Sequence, residues 1–182
     1  NGSVMSNVSF FTVEKDKETK IELTMRDNAE EIRVIGNFNS ELKYTDITTK
    51  TETSILSTTG RGYFVVGILG TGQEPTNHAL KDIEIKKEEF EKWGRKMILL
   101  FPDEKSYGKF SPTDFPNLPS NIVYGIDTDN EVRNEISQNM KLSNGGNLPI
   151  FIIGDTFNRV VFQIDGYTIG TGEQLIKTIN GL

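Results

Sequence analysis

Four short apolar runs, at residues 63–69, 97–101, 122–126 and 150–153, constrain this chain more than any other feature. None alternates polar with apolar along its length, so each must be covered on both faces, as strands are when helices flank a sheet. The text between them is helical in period. Leu80, Ile83 and Phe90 recur among lysines and glutamates and lead to Trp93-Gly94, where the glycine is a helix stop. A short helix is expected over 104–110, followed by a loop rich in proline (Pro112, Pro116, Pro119). Val132, Ile136 and Met140 stand at i, i+4 and i+8 and mark another helix. Pro149 opens the fourth run, the stretch 155–158 turns the chain into a strand over 160–164, and Leu175, Ile176 and Ile179 face inward from a closing helix. From residue 63 the order is therefore strand, helix, strand, helix, strand, helix, strand, strand, helix. This is an α/β pattern with a mixed sheet.

The first 60 residues read differently. In Lys20-Ile21-Glu22-Leu23-Thr24-Met25-Arg26 the apolar side chains occupy every second position, the pattern of a half-buried strand, and Asp27-Asn28 supplies a turn. Ile32, Val34 and Phe38 continue as a second strand, with Gly36 a bulge or a point of close approach. Weaker strand candidates lie at 8–13, 42–46 and 53–56, and Ala29-Glu30-Glu31 is the one helical patch. A small all-β region over 1–60, an antiparallel sheet or β-sandwich, is expected to precede the α/β domain of 61–182.

Composition removes whole classes of function. The 182 residues include no cysteine and one histidine, His78. Thiol redox chemistry, cysteine nucleophiles, zinc–thiolate centres and disulfides are excluded, as is any site built from several histidines. The net charge of −6 comes without a lysine or arginine stripe, so nucleic-acid binding has no electrostatic support. No apolar stretch approaches the roughly 18 residues of a spanning helix. The chain begins Asn1-Gly2-Ser3-Val4, which reads as the start of an excised or processed fragment.

Several stretches taken in order resemble the thioredoxin fold, in the form of thioredoxin-like and peroxiredoxin-like proteins. Residues 63–94 match the strand, active-site loop and first helix. Leu148-Pro149-Ile150-Phe151-Ile152-Ile153-Gly154-Asp155 matches the cis-proline, hydrophobic strand and acidic turn, residues 159–162 the hairpin return, and 166–175 the glycine and closing helix. The resemblance implies a cis peptide before Pro149. It also implies that the loop ahead of the first helix, near Thr76-Asn77-His78-Ala79, stands where redox members carry Cys-x-x-Cys. With no sulfur there, the redox function does not carry over. The wording at residues 70–83 and 148–154, preceded by a β-region, also resembles the C-terminal part of transglutaminase-like bacterial envelope proteins. That resemblance implies a catalytic domain upstream, an accessory role here, an extracytoplasmic location, and another domain of the same chain or an envelope protein as partner.

Candidate site residues cluster at the helix entrance and at the facing proline: Gln73, Glu74, Thr76, Asn77 and His78, with Asn147 and Pro149 opposite by virtue of the fold. They could form a small binding site for a polar or anionic ligand, or Thr76 or Asn77 could simply cap the helix with His78 solvated. Gly70-Thr71-Gly72-Gln73-Glu74-Pro75 half-matches a dinucleotide fingerprint, but proline replaces the third glycine and no cofactor is expected. Asp127-Thr128-Asp129-Asn130-Glu131 lacks the glycine and distal carboxylate of a calcium loop, and Asp129 or Asn130 reads as a helix cap. No catalytic or metal-ligating set is assigned. Two alternatives stay open: a thiol-independent enzyme using His78 and Glu74, and a carbohydrate-binding β-module using Asn37-Phe38-Asn39 and Tyr44.

Overall fold

The structure, a computed structural model, describes residues 32–182 apart from Gln73. The strands expected at 8–13 and 20–26 and the patch at 29–31 lie outside the described residues. The strands are β1 (Gly36–Asn37), β2 (Lys43–Asp46), β3 (Glu52–Ser54), β4 (Tyr63–Ile68), β5 (Met97–Phe101), β6 (Ile122–Ile126), β7 (Ile150–Asp155) and β8 (Arg159–Asp165). The helices are α1 (Ile55–Thr59), α2 (Glu74–Ile85), α3 (Lys87–Trp93), α4 (Glu104–Gly108), α5 (Glu131–Asn139) and α6 (Thr171–Asn180).

The eight strands of the described residues form one mixed sheet in the order β1-β8-β7-β4-β5-β6-β2-β3. β4, β5 and β6 run parallel, β7 lies antiparallel to β4, and β7 and β8 form the C-terminal hairpin. The described strands of the first 60 residues join this same sheet rather than stacking on it as a sandwich. β1 pairs with β8 at one edge, while β2 pairs with β6 and carries β3 at the other.

Alternate residues of the central strands point into two separate cores, which is why their runs are apolar throughout. On one face Val65, Leu99, Phe101, Phe151 and Ile153 pack under Leu80, Ile83, Phe90 and Leu175 from α2, α3 and α6. On the other, Phe64, Val66, Ile98, Leu100 and Ile152 meet Val132 and Ile136 of α5 together with Phe38, Tyr44 and Ile55. Each such side chain, fully withdrawn from water, contributes about 1.5–3 kcal/mol. Phe38 and Tyr44 are both completely buried, so neither offers a ring face to a sugar for the carbohydrate-binding alternative.

Three local differences from the sequence reading have clear causes. The strand expected over 53–56 stops at Ser54, whose hydroxyl accepts from the Ser57 amide at 3.1 Å and starts α1. The single helix expected up to Gly94 is two helices broken at Lys86, whose φ of −102° and ψ of 19° leave the helical region. Gly94 does end the second of them, with φ +72°. Finally, Asn130 stands at the N-cap position of α5, with φ +56°, but its side chain makes no capping hydrogen bond. Asp127 supplies those bonds instead, its two carboxylate oxygens accepting from the amides of Val132 and Arg133 at 2.9 Å each.

Helix α6 reaches α2 through Gly172. A Cβ at that position would collide with the backbone carbonyl of Asp82, so the two helices touch backbone to backbone. The Asp82 carboxylate fastens the same contact, accepting from Gly170 and Thr171 amides at 3.0 Å each. No helix of the described residues is long and apolar enough to cross a membrane.

Candidate functional site

The helix entrance is shaped by Thr76. Helix α2 begins at Glu74, two residues before the earliest cap the sequence suggested, so Thr76 sits inside the first turn. Its side chain is buried and reaches back to the loop, where Oγ1 accepts from the Gly70 amide at 3.0 Å. The loop turns at Gly72, whose φ of +64° suits a residue without Cβ. Thr76 is therefore a loop clamp, and neither it nor Asn77 caps the helix.

Glu74 and His78 follow one another along the same helix face, with Oε2 and Nε2 3.3 Å apart and side chains 83% and 54% exposed. A pair so open to water contributes little stability. Glu74 also sits where the helix N-terminus favours negative charge. The His78 ring stacks against Tyr167, from the loop before α6, with centroids 5.2 Å apart and planes 27° from parallel.

Two clefts flank this contact. The larger, about 630 Å³, lies between Pro75 of α2, Arg133 of α5, the loop residues Asn144, Asn147 and Leu148, and Tyr167. The smaller, about 350 Å³, is bordered by Glu74, Asn77, His78, Lys81, Asp114 and Phe115. The expected site residues are thus divided. Glu74, Asn77 and His78 line the smaller cleft and Asn147 the larger, while Thr76 and Pro149 are buried behind them. Gln73 lies outside the described residues. The Leu148–Pro149 peptide is cis, as the thioredoxin resemblance implied.

The loop forming the rim of the larger cleft is held from below. Asp165, buried at the end of β8, accepts from the amides of Ser143, Asn144 and Gly146 at 2.9, 2.7 and 3.1 Å. The Asn147 carbonyl accepts from the Gly166 amide at 2.7 Å. Arg133 leans on this rim, one guanidinium nitrogen donating to the Gly146 carbonyl at 3.4 Å, and makes no ion pair among the described residues. Desolvation raises the Tyr167 phenol above its ordinary value, and Asp82 nearby adds to the effect. Desolvation likewise raises the Asp127 carboxyl, against the two amides that favour its ionised form.

Sequence reasoning missed Arg133 and Tyr167. Arg133 follows Val132, the first residue of the apolar stripe of α5, which placed the helix without showing what its next face would meet. Tyr167 follows Gly166, where the chain leaves the hairpin, and its stacking on His78 depends on how α2 and α6 dock. Only the three-dimensional contact reveals either.

The sequence matches no protein-family model and no curated protein sequence. Solved structures do match in fold. One is a protein from Chlorobium tepidum assigned as the thiol:disulfide interchange protein DsbE, with TM-score 0.57 and 12% identity over 79% of this chain and 95% of that one. Another is the bacterioferritin comigratory protein of Xanthomonas campestris, described for alkyl peroxide reduction, with TM-score 0.58 and 16% identity over 78% and 92%. A third is a thioredoxin-like protein of Porphyromonas gingivalis, with TM-score 0.55 and 17% identity over 79% and 92%. At these identities the likeness establishes fold alone. The transglutaminase resemblance finds no support in these comparisons. With the central mixed sheet, the proline-led hairpin and the helix entrance facing it, this is a thioredoxin-like fold in a chain that contains no cysteine.

Proposed function

We propose that this chain is a redox-inactive thioredoxin-like binding module, an accessory unit of a bacterial envelope protein. The observation that carries the reading is the face around α2 and the loop before Pro149. The fold's helix entrance and cis-proline are both present, two clefts open beside them, and the cysteine pair is replaced by Glu74, Thr76, Asn77 and His78. Such a surface recognises a ligand or partner without transferring electrons through its own side chains. A binding role is favoured over acid–base catalysis because Glu74 and His78 are neighbours on one exposed helix face. Both side chains stand largely in water, with no buried carboxylate or nucleophile completing a catalytic set among the described residues. The extracytoplasmic setting and the place beside another domain of a larger, transglutaminase-like chain belong to the same proposal.

The test is affinity capture from an envelope extract. The double variant Asn147→Ala, His78→Ala changes two exposed side chains and loses the His78–Tyr167 stack, so the melting temperature should fall by no more than about 4 °C while capture is lost. Capture unchanged by the double variant overturns the assignment of this face. Reduction of insulin disulfides by the isolated chain, without added metal or flavin, overturns the redox-inactive reading.

A further inference from the structure

The larger cleft has a charge pattern at odds with the chain around it. The sequence carries 26 acidic against 20 basic residues, yet the one charged side chain lining this cleft among the described residues is Arg133. Its guanidinium makes no salt bridge among the described residues and donates to the Gly146 carbonyl at a long 3.4 Å, with the buried Asp127 carboxylate close enough to feel its charge. Around it stand the apolar groups of Pro75, Leu148 and the Tyr167 ring together with the amide side chains of Asn144 and Asn147. An arginine fork beside these apolar groups, in about 630 Å³, suits a ligand of small-molecule size with one anionic end and a flat apolar body.

The backbone narrows the kind of anion. The turn at 143–146 brings three amides together, the arrangement a phosphate cradle needs. All three are already occupied by the Asp165 carboxylate from beneath. Pro75 contributes no N–H at the first turn of α2. A phosphate dianion would therefore meet a single cation without those three turn amides, whereas a carboxylate monoanion matches one guanidinium.

Resting on the binding-face reading above, we propose that this cleft binds a small monocarboxylate with an aromatic or flat apolar body. Arg133 holds its carboxylate, and Tyr167 and Pro75 pack against its body.

The probe is benzoate, titrated into the full ¹⁵N-labelled chain at constant ionic strength, with benzamide and inorganic phosphate as parallel arms. Saturable shifts of the Asn144, Gly146, Leu148 and Tyr167 amides with benzoate are expected. Benzamide and phosphate should bind the same amides at least about tenfold more weakly. Arg133→Gln should abolish the benzoate shifts while the remaining spectrum is retained, and Arg133→Lys should fall between, because it keeps the charge without the fork. Equal affinity for benzoate and benzamide, preference for phosphate, or unchanged binding by Arg133→Gln overturns the inference. Should Arg133→Gln fail to fold, the benzoate and benzamide arms on the unaltered chain decide it. The two readings fail separately. Absent benzoate shifts beside capture that is lost in Asn147→Ala, His78→Ala removes the carboxylate and leaves the face, and benzoate binding beside unchanged capture does the reverse.

Discussion

The imidazole of His78 and the phenol ring of Tyr167 lie stacked 5.2 Å apart, and this one contact ties the start of α2 to the loop that leads into α6. It also separates the two clefts, since Tyr167 lines one and His78 the other. Tyr167→Phe keeps the ring and should preserve the local geometry. Tyr167→Ala should merge the clefts and free the imidazole, seen as a collapse of the ring-current shift on the His78 Cε1 proton. Because His78 is half exposed, the stability cost should stay near 1 kcal/mol in urea unfolding.

Thr76 offers a sharper stability test. Thr76→Val keeps shape and volume but removes the acceptor of the buried Gly70 amide, which should cost about 1–3 kcal/mol. Thr76→Ser should restore most of it. Hydrogen exchange at the Gly70 amide should accelerate in the valine variant and return in the serine variant. Equal exchange in all three would mean that the loop is held by something else.

Gly172→Ala should be among the most damaging single-methyl additions in the described chain. The added carbon meets the Asp82 carbonyl, which is α2 backbone and cannot swing aside as a side chain would. A loss of about 1–3 kcal/mol or more is expected, read by urea or thermal unfolding. Gly108→Ala is the matching control. It ends α4 with nothing within 4 Å of the new carbon, so no loss should follow.

Burial pushes the Tyr124 phenol up from 10.0 to about 12, with Tyr107 nearby adding to the effect. A raised pKa means that the folded state keeps a proton the unfolded state releases. Between pH 10 and 12 the folded state is therefore the more protonated of the two, and stability falls as pH rises through that window. Below pH 10 this contribution is complete, and its loss by about pH 12 is of order 2 kcal/mol. Tyr124→Phe should flatten the alkaline limb of the stability curve and remove the latest step from a tyrosinate absorbance titration. Alkaline unfolding unchanged by that substitution would contradict the assignment.

What was legible in the sequence follows from which interactions are local. The apolar runs at 97–101 and 122–126 became strands with the same ends, because continuous apolarity over five residues leaves little choice once helices flank it. The cis bond at Pro149 came with the order of elements. Lys86 was not legible as a helix break, since Ile85-Lys86-Lys87 carries no glycine or proline and its neighbours favour helix. Nor was the destination of the strands at 36–54. Period-2 patterning shows that a strand has a buried face, but not which strand it will pair with. The site divides along the same line. Glu74, Asn77 and His78 are near in sequence and were found together. Arg133 and Tyr167 reach the clefts from distant elements, through packing that no local pattern encodes.

The way the sheet is closed has a consequence for anyone shortening this protein. A stretch of fewer than twenty residues supplies β1 at one margin and β2 with β3 at the other, so it acts as a clasp around both sides. A chain clipped to begin at residue 61 would leave β8 and β6 with bare hydrogen-bonding borders, each open to a neighbouring molecule. Self-association and poor recovery on expression, rather than a tidy smaller domain, are what such a cut should yield.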